Sequence, residues 1–211
     1  MFQKYIDGQY GRPSGLVGRW IGGKMAAQHQ PENLWTVNLL DAQPRDWILE
    51  VGFGPGFAVQ ELARRVPAGR IAGVDFSKAM LHTARRRNAA AIRQGRVDLR
   101  ESDAARLPFE DAMFDKAFSI HSIYFWPDPL AALREIRRVL KPGGLLALTI
   151  LPKEKWGANS DGTWGTPECR PYSGGDLIRL MAEAGFGDFA VRADPQPQFA
   201  ANFTVMGYAA A

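Results

Sequence analysis

The order of apolar segments along the chain predicts an α/β fold on a mostly parallel sheet, and three observations carry that reading. From Trp47 onward, short apolar runs of strand length alternate with segments of helical periodicity, the pattern of helices wrapped against a parallel sheet. The first run leads directly into Glu50-Val51-Gly52-Phe53-Gly54-Pro55-Gly56, a glycine turn at the exit of a strand and the entrance of a helix. The 211 residues are 46% hydrophobic and 23% charged, and a chain of that size buries about 70% of the surface it exposes when unfolded. These values imply one domain with a sizeable core.

The first 46 residues are punctuated by Gly8, Gly11, Pro13, Gly15, Gly18, Gly22 and Gly23 and hold one predicted helix, from Glu32 to about Leu40 behind Pro31. They are too few to build their own core and are expected to pack over the sheet as a cover. Trp47–Val51 reads as a buried strand, and Val59, Leu62, Ala63 and Val66 then fall on one helix face. Arg70–Asp75 is the next strand, with Ser77 as the cap of a helix over residues 79–91 that has an Arg-rich outer face. Val97–Glu101 is a weaker, alternating strand. Phe114–Ile120 is an apolar strand, and Leu130, Leu133, Ile136 and Leu140 mark a helix ended by Lys141-Pro142-Gly143-Gly144. Residues 145–150 form another buried strand.

About twenty residues without periodicity come next, and loops of that length in compact domains are functional or disordered. Trp156, Trp164 and Tyr172 favour a lid or substrate wall there. Leu177, Leu180, Met181 and Ala184 form a helix face capped at Ser173 and stopped by Gly185, and strands over 189–193 and 203–208 end the chain. The expected organisation is a single domain: cover 1–46, core 47–151, and a substrate-side loop, helix and terminal strands over 152–211.

Composition excludes several classes of function. Lys and Arg total 26 against 22 Asp and Glu, a net charge of +4, and the runs Arg85 to Arg87 and Arg137 to Arg138 read as solvated helix faces, so no nucleic-acid partner is expected. A single cysteine, Cys169, excludes an internal disulfide and a multi-thiolate metal site. The apolar run 145–151 is far shorter than the roughly 18 residues of a membrane span. The first ten residues carry Lys4 and Asp7 and lack a signal-peptide core. The expectation is a soluble, cytoplasmic protein, monomer or homodimer.

The chemistry concentrates in the glycine turn and in the acidic residues C-terminal to it. Glycines there allow a sharp turn and close approach of a ligand, and the helix start offers free N–H groups. A dinucleotide fingerprint wants glycine at the first, third and sixth places; here the sixth is Phe57 and the third glycine stands fifth. Asp75 ends the next strand 75 − 52 = 23 residues after Gly52, where a carboxylate accepts bonds from both hydroxyls of a ribose, which implies a nucleoside ligand. Ser102-Asp103-Ala104, Leu107-Pro108-Phe109, Phe114-Asp115 and Arg138-Val139-Leu140-Lys141-Pro142-Gly143-Gly144 come after it in that order.

Together these motifs resemble class I S-adenosylmethionine-dependent methyltransferases of the small bacterial type, well over residues 47–151 and loosely elsewhere. The resemblance implies a Rossmann-like three-layer sandwich whose seven-stranded, mostly parallel sheet has an antiparallel last strand near residues 203–208. It implies S-adenosyl-L-methionine as cofactor and S-adenosyl-L-homocysteine as product. Glu50 and the loop residues Gly52, Phe53, Gly54 and Gly56 would hold the methionine part, and Asp75 the ribose diol. Asp103 would take the adenine amino group with backbone help from Ala104, Phe76 would lie against the adenine, and Met80 would flank it. His121, after the fourth strand, would face the transferred methyl.

Methyl transfer from a sulfonium is an in-line displacement that needs positioning and exclusion of water but no metal. An oxygen or nitrogen acceptor must also shed a proton, and His121 is the candidate base. Tyr124, Phe125 and Trp126 are candidates for the acceptor wall, with core packing the alternative for two of the three. Tyr10, with Arg12 and Trp20, is expected to close over the donor, and Tyr172, with Glu168 and Arg170, to touch the substrate. His29, His82 and Cys169 carry no expected role. The expected activity is methyl transfer to a small-molecule acceptor at oxygen, nitrogen or carbon. The competing readings are a protein that binds the donor without transfer, and an NAD(P)-dependent oxidoreductase.

Overall fold

Seven strands form at the apolar runs: β1 (Trp47–Val51), β2 (Arg70–Asp75), β3 (Val97–Glu101), β4 (Phe114–Ile120), β5 (Leu140–Ile150), β6 (Phe186–Ala193) and β7 (Phe203–Ala209). In the computed structural model, which describes residues 30–156, 169–195 and 202–210, they make one sheet in the order β3-β2-β1-β4-β5-β7-β6. The first five are parallel, and β7 runs antiparallel to both β5 and β6. The strand order reverses beside β1, where open α/β sheets leave a crevice at the carboxyl ends of their strands.

Helices cover both faces. On one side α1 (Gln30–Leu39), α2 (Phe57–Arg65), α3 (Lys78–Arg87) and α4 (Ala89–Arg93) bury Val37, Leu62, Ala84 and Ala91 against Ile48, Ile71 and Phe118. On the other, α5 (Pro129–Val139) and α6 (Gly174–Glu183) bury Leu133, Ile136, Leu177 and Met181 against Leu49, Val74, Leu146 and Val205. Their starts are chemically marked. The Ser77 hydroxyl accepts from the Met80 N–H, Asp128 accepts from the Ala131 N–H ahead of a proline in the first turn, and Ser173 and Asp176 form a reciprocal capping box.

Three boundaries differ from the sequence expectation. The helix expected over 79–91 breaks after Arg87, because the Asn88 amide turns back to the carbonyls of Ala84 (2.9 Å) and Gly56 (3.0 Å) instead of facing solvent. Lys141-Pro142-Gly143-Gly144 lies within β5, which begins at Leu140; Phe114 pairs with Leu140 and Lys116 with Leu145, so the four residues are absorbed as an irregularity in the ladder. β6 starts at Phe186, three residues before residue 189, because Gly185 with φ +92° reverses the chain directly out of α6. Among the described residues, no helix is long and apolar enough to cross a membrane.

Threonines pin α1 to the sheet. The Thr36 hydroxyl donates to the Glu32 carbonyl (2.9 Å) and lies 2.7 Å from the Thr149 hydroxyl, which lies 2.7 Å from that of Thr204. Since Thr36 spends its proton on Glu32, Thr149 donates to Thr36 and Thr204 to Thr149. All three are fully buried. Thr149→Val keeps the shape but leaves the Thr204 proton without an acceptor, so it should cost about 1–3 kcal/mol, read as a lower urea midpoint at unchanged slope.

Candidate functional site

The carboxyl ends of β1 to β4 converge on one crevice. Three left-handed glycines make the turn after β1, with φ +82° at Gly52, +49° at Gly54 and +74° at Gly56, a region that other residues enter only with strain. Each has a different reason to lack a side chain. A Cβ on Gly52 would lie 2.0 Å from the Ser122 hydroxyl oxygen, and one on Gly56 would lie 2.7 Å from the Ala84 Cβ. A Cβ on Gly54 would meet nothing within 4 Å, so this glycine alone of the three faces open space.

Two carboxylates stand behind the turn. Asp75 is 7% exposed; its Oδ2 accepts from the Gly54 N–H and its Oδ1 from the Ser77 N–H, both at 2.8 Å. Burial pushes its pKa up to about 6, with the two N–H bonds pulling the other way. Glu50 is 2% exposed, and among the described residues its Oε2 has no hydrogen-bond partner. Burial first, and the Asp75 charge second, push its pKa up to about 8 against the pull of the Val59 backbone N–H. Burial thus leaves at this point two carboxyl groups that resist ionisation together, and a cation beside them would favour their charged forms.

An open cleft lies beside them, lined by Val51, Gly52, Val74, Asp75, Phe76, Ser102, Asp103, Ala104, Ser122, Phe125, Trp126 and Pro127. Of the sequence candidates it gathers Gly52, Asp75, Phe76, Asp103, Ala104, Phe125 and Trp126. Phe76 is 43% exposed at its rim. The exposed Asp103 accepts from the Ala105 N–H at 2.8 Å and so shapes the loop after β3.

Other candidates are placed differently. The Phe53 ring is buried in the core against Gly73, whose missing side chain makes room for it. Gly56 packs beneath α3, and Met80 is buried at the start of that helix. Tyr172 is buried in the core, its carbonyl accepting from the Lys153 N–H at 3.0 Å. Tyr10 lies outside the described residues, as do Arg12, Trp20, Trp164 and Glu168.

His121 directly follows β4 with φ +53°, a strained conformation for a residue with a side chain. Its N–H donates to the Thr149 carbonyl (3.0 Å), and its Nδ1 lies 3.2 Å from the Tyr124 hydroxyl. That hydroxyl accepts from the Leu151 N–H (2.5 Å) and donates to the Leu151 carbonyl (3.3 Å). Tyr124, expected in the acceptor wall, instead spends its polar end on the protein. Trp126 donates from Nε1 to the Ser122 hydroxyl at 3.0 Å, which seats Ser122 against Gly52.

Ser122 and Asn88 are the residues that sequence reasoning missed. Asn88 carried a weak signal as a poor helix former inside a helical run. Ser122 carried none, since its importance lies in a contact with a glycine seventy residues away.

Comparison with known proteins points to one family. A family model described as a methyltransferase domain matches residues 49–148. The uncharacterized methyltransferase YdaC of Bacillus subtilis (strain 168) is 34% identical over 168 residues, covering 80% of this chain and 86% of that protein. The 2-phytyl-1,4-naphtoquinone methyltransferase of Trichormus variabilis is 36% identical over 122 residues, 57% of this chain and 53% of that protein. A crystal structure of a SAM-dependent methyltransferase from Thermotoga maritima superposes with a TM-score of 0.68 at 24% identity, over 92% of this chain and 95% of that one.

Two measurements check the site's physics. Gly54→Ala should cost about 1–2 kcal/mol from left-handed strain alone, while Gly52→Ala should cost more because Ser122 must also move; urea midpoints give the order. The raised carboxylates make the folded chain bind more protons than the unfolded one from about pH 4 to 8, so their contribution to stability falls as pH rises through that window. Glu50→Gln should flatten that fall. Titration of Tm between pH 5 and 8 reads it above the range where Asp176, held down to about 2 by the Ser173 hydroxyl and N–H bonds, changes charge.

Proposed function

The chain belongs to the class I methyltransferase family, and from that premise we propose that it binds S-adenosylmethionine in the cleft at the ends of β1 to β4 and methylates a small-molecule acceptor. The observation that carries the reading is the pairing of the open Gly54 with two buried carboxylates, one of them holding an oxygen without a partner among the described residues. A ligand with an ammonium group, a sulfonium and a ribose diol fits that donor and acceptor set; a dinucleotide pyrophosphate, which is anionic, does not. When bound, the cofactor supplies an electrophilic methyl group that an acceptor takes by in-line displacement.

The chain's own residues do the rest. Glu50 and the glycine turn would hold the methionine part, with the backbone of Phe53 in the turn and its ring supporting from below. Asp75 would exchange its bond to the Gly54 N–H for the ribose hydroxyls. Asp103 and the Ala104 backbone would read the adenine edge, Phe76 would cover its face, and Met80 would support it through packing. Trp126 and Phe125 would wall the acceptor side and keep water from the methyl group, with Tyr10 proposed as an outer contact. His121 would take the acceptor's proton. A small acceptor is supported by the quinone acceptor in the name of one relative.

Calorimetric titration with S-adenosylhomocysteine should give saturable one-site binding, with none for NAD. Asp75→Ala should weaken that binding by about 1.5–3 kcal/mol through loss of hydrogen bonds to a charged acceptor. Binding of NAD alone would reverse the cofactor assignment, and unchanged affinity in the variant would remove Asp75 from the ribose site.

A further inference from the structure

The bend after β4 holds a hydrogen-bond arrangement that permits only one distribution of protons. The Tyr124 hydroxyl has three neighbours: the Leu151 N–H at 2.5 Å, the Leu151 carbonyl at 3.3 Å and His121 Nδ1 at 3.2 Å. A phenol has one proton and two acceptor lone pairs. The Leu151 N–H can only donate, so it occupies one lone pair. Were the phenol's proton to go to Nδ1, its oxygen would face the Leu151 carbonyl oxygen with no hydrogen between them, a repulsive contact. With the proton on the Leu151 carbonyl, every contact is satisfied and the remaining lone pair accepts from Nδ1–H.

We propose that Tyr124 is a positioning residue: its hydroxyl, bracketed by the Leu151 N–H and carbonyl, fixes His121 as the Nδ1–H tautomer and so places the lone pair of the neutral ring on Nε2. The proposal rests on the reading of His121 as the group that takes the acceptor's proton, and says which of its nitrogens does so. Three further observations agree. Tyr124 is 4% exposed and burial pushes its phenol well above the usual range, so it keeps the proton it must donate. The rings of His121 and Tyr124 stack with 22° between planes and centroids 6.1 Å apart. The His121 backbone is held in its left-handed conformation by the bond to Thr149, so the ring is offered to the hydroxyl from a fixed base. A tautomer fixed through the ring's second nitrogen is how histidine bases are oriented generally.

The test is the tautomeric state of His121 in the 15N-labelled full chain, read from long-range proton–nitrogen spectra at a pH where the ring is neutral. Its signals are assigned by their loss in His121→Gln. In the wild type Nδ1 should show the shift of a protonated nitrogen and Nε2 that of an unprotonated one; in Tyr124→Phe the two tautomers should exchange, and averaged shifts should replace the fixed pair. A wild-type ring protonated on Nε2, or a Tyr124→Phe ring with unchanged shifts, overturns the proposal. If Tyr124→Phe does not fold, the wild-type spectrum decides alone. The donor reading fails separately, through absence of S-adenosylhomocysteine binding, and that result leaves the tautomer measurement standing.

Discussion

The cleft depends on keeping the Asp75 carboxylate buried. Removing an ionised group from water is costly unless hydrogen bonds replace the lost hydration. Here two backbone N–H groups do so, from Gly54 and Ser77. Those donors belong to the turn after β1 and to the cap of α3, so one side chain ties the glycine turn to the start of the next helix. The left-handed conformations at Gly52 and Gly54 are what bring the Gly54 N–H round to Asp75. Turn geometry and carboxylate burial are therefore one constraint, and a residue with a Cβ at Gly52 breaks it by displacing Ser122.

The remaining walls are tied to that turn rather than hung independently on the sheet. Ser122 rests on Gly52 and is held there by the Trp126 indole; Asn88 binds the Gly56 carbonyl from the far end of α3. The loop after β3 is braced from the opposite layer. Glu135 accepts from the Leu107 N–H, and Arg138 donates to the carbonyls of Leu107 and Phe109 while pairing with Glu135, which its guanidinium holds below the usual carboxylate range. Helix α5 thus sets the height of Asp103 and Ala104 without touching the cleft. A site fixed by supports of this kind has its geometry ready before a ligand arrives.

The elements and their order were readable because each is marked locally. Buried strands are continuous apolar runs, and Ser77 and Ser173 announce helix starts by chemistry that operates within three residues. What the sequence hid was decided by distant partners. Lys141-Pro142-Gly143-Gly144 has the composition of a turn, yet pairing with β4 draws it into a strand. Phe53 sits in the middle of the glycine motif, and only the space over Gly73 on the neighbouring strand sends its ring into the core. Tyr124 reads as an aromatic wall residue until β5 brings Leu151 to its hydroxyl. The motif residues were identifiable; the direction in which each side chain points was not, because it depends on what lies across the sheet.

Glu50 and Asp75 also set how the site responds to charge. Each raises the energetic cost of the other's ionisation, and among the described residues Glu50 Oε2 has no donor to offset its burial. On its own, the pair therefore resolves its repulsion by holding a proton. A cation seated beside the pair removes the need for that proton, so proton and cationic ligand compete for one buried charge. By linkage, the burial that makes the pair a weak point as pH rises is the same free energy that favours a cationic ligand over a neutral or anionic analogue of equal shape. A preference for a cation over a neutral or anionic group of equal shape is in this way a property of the sheet ends themselves.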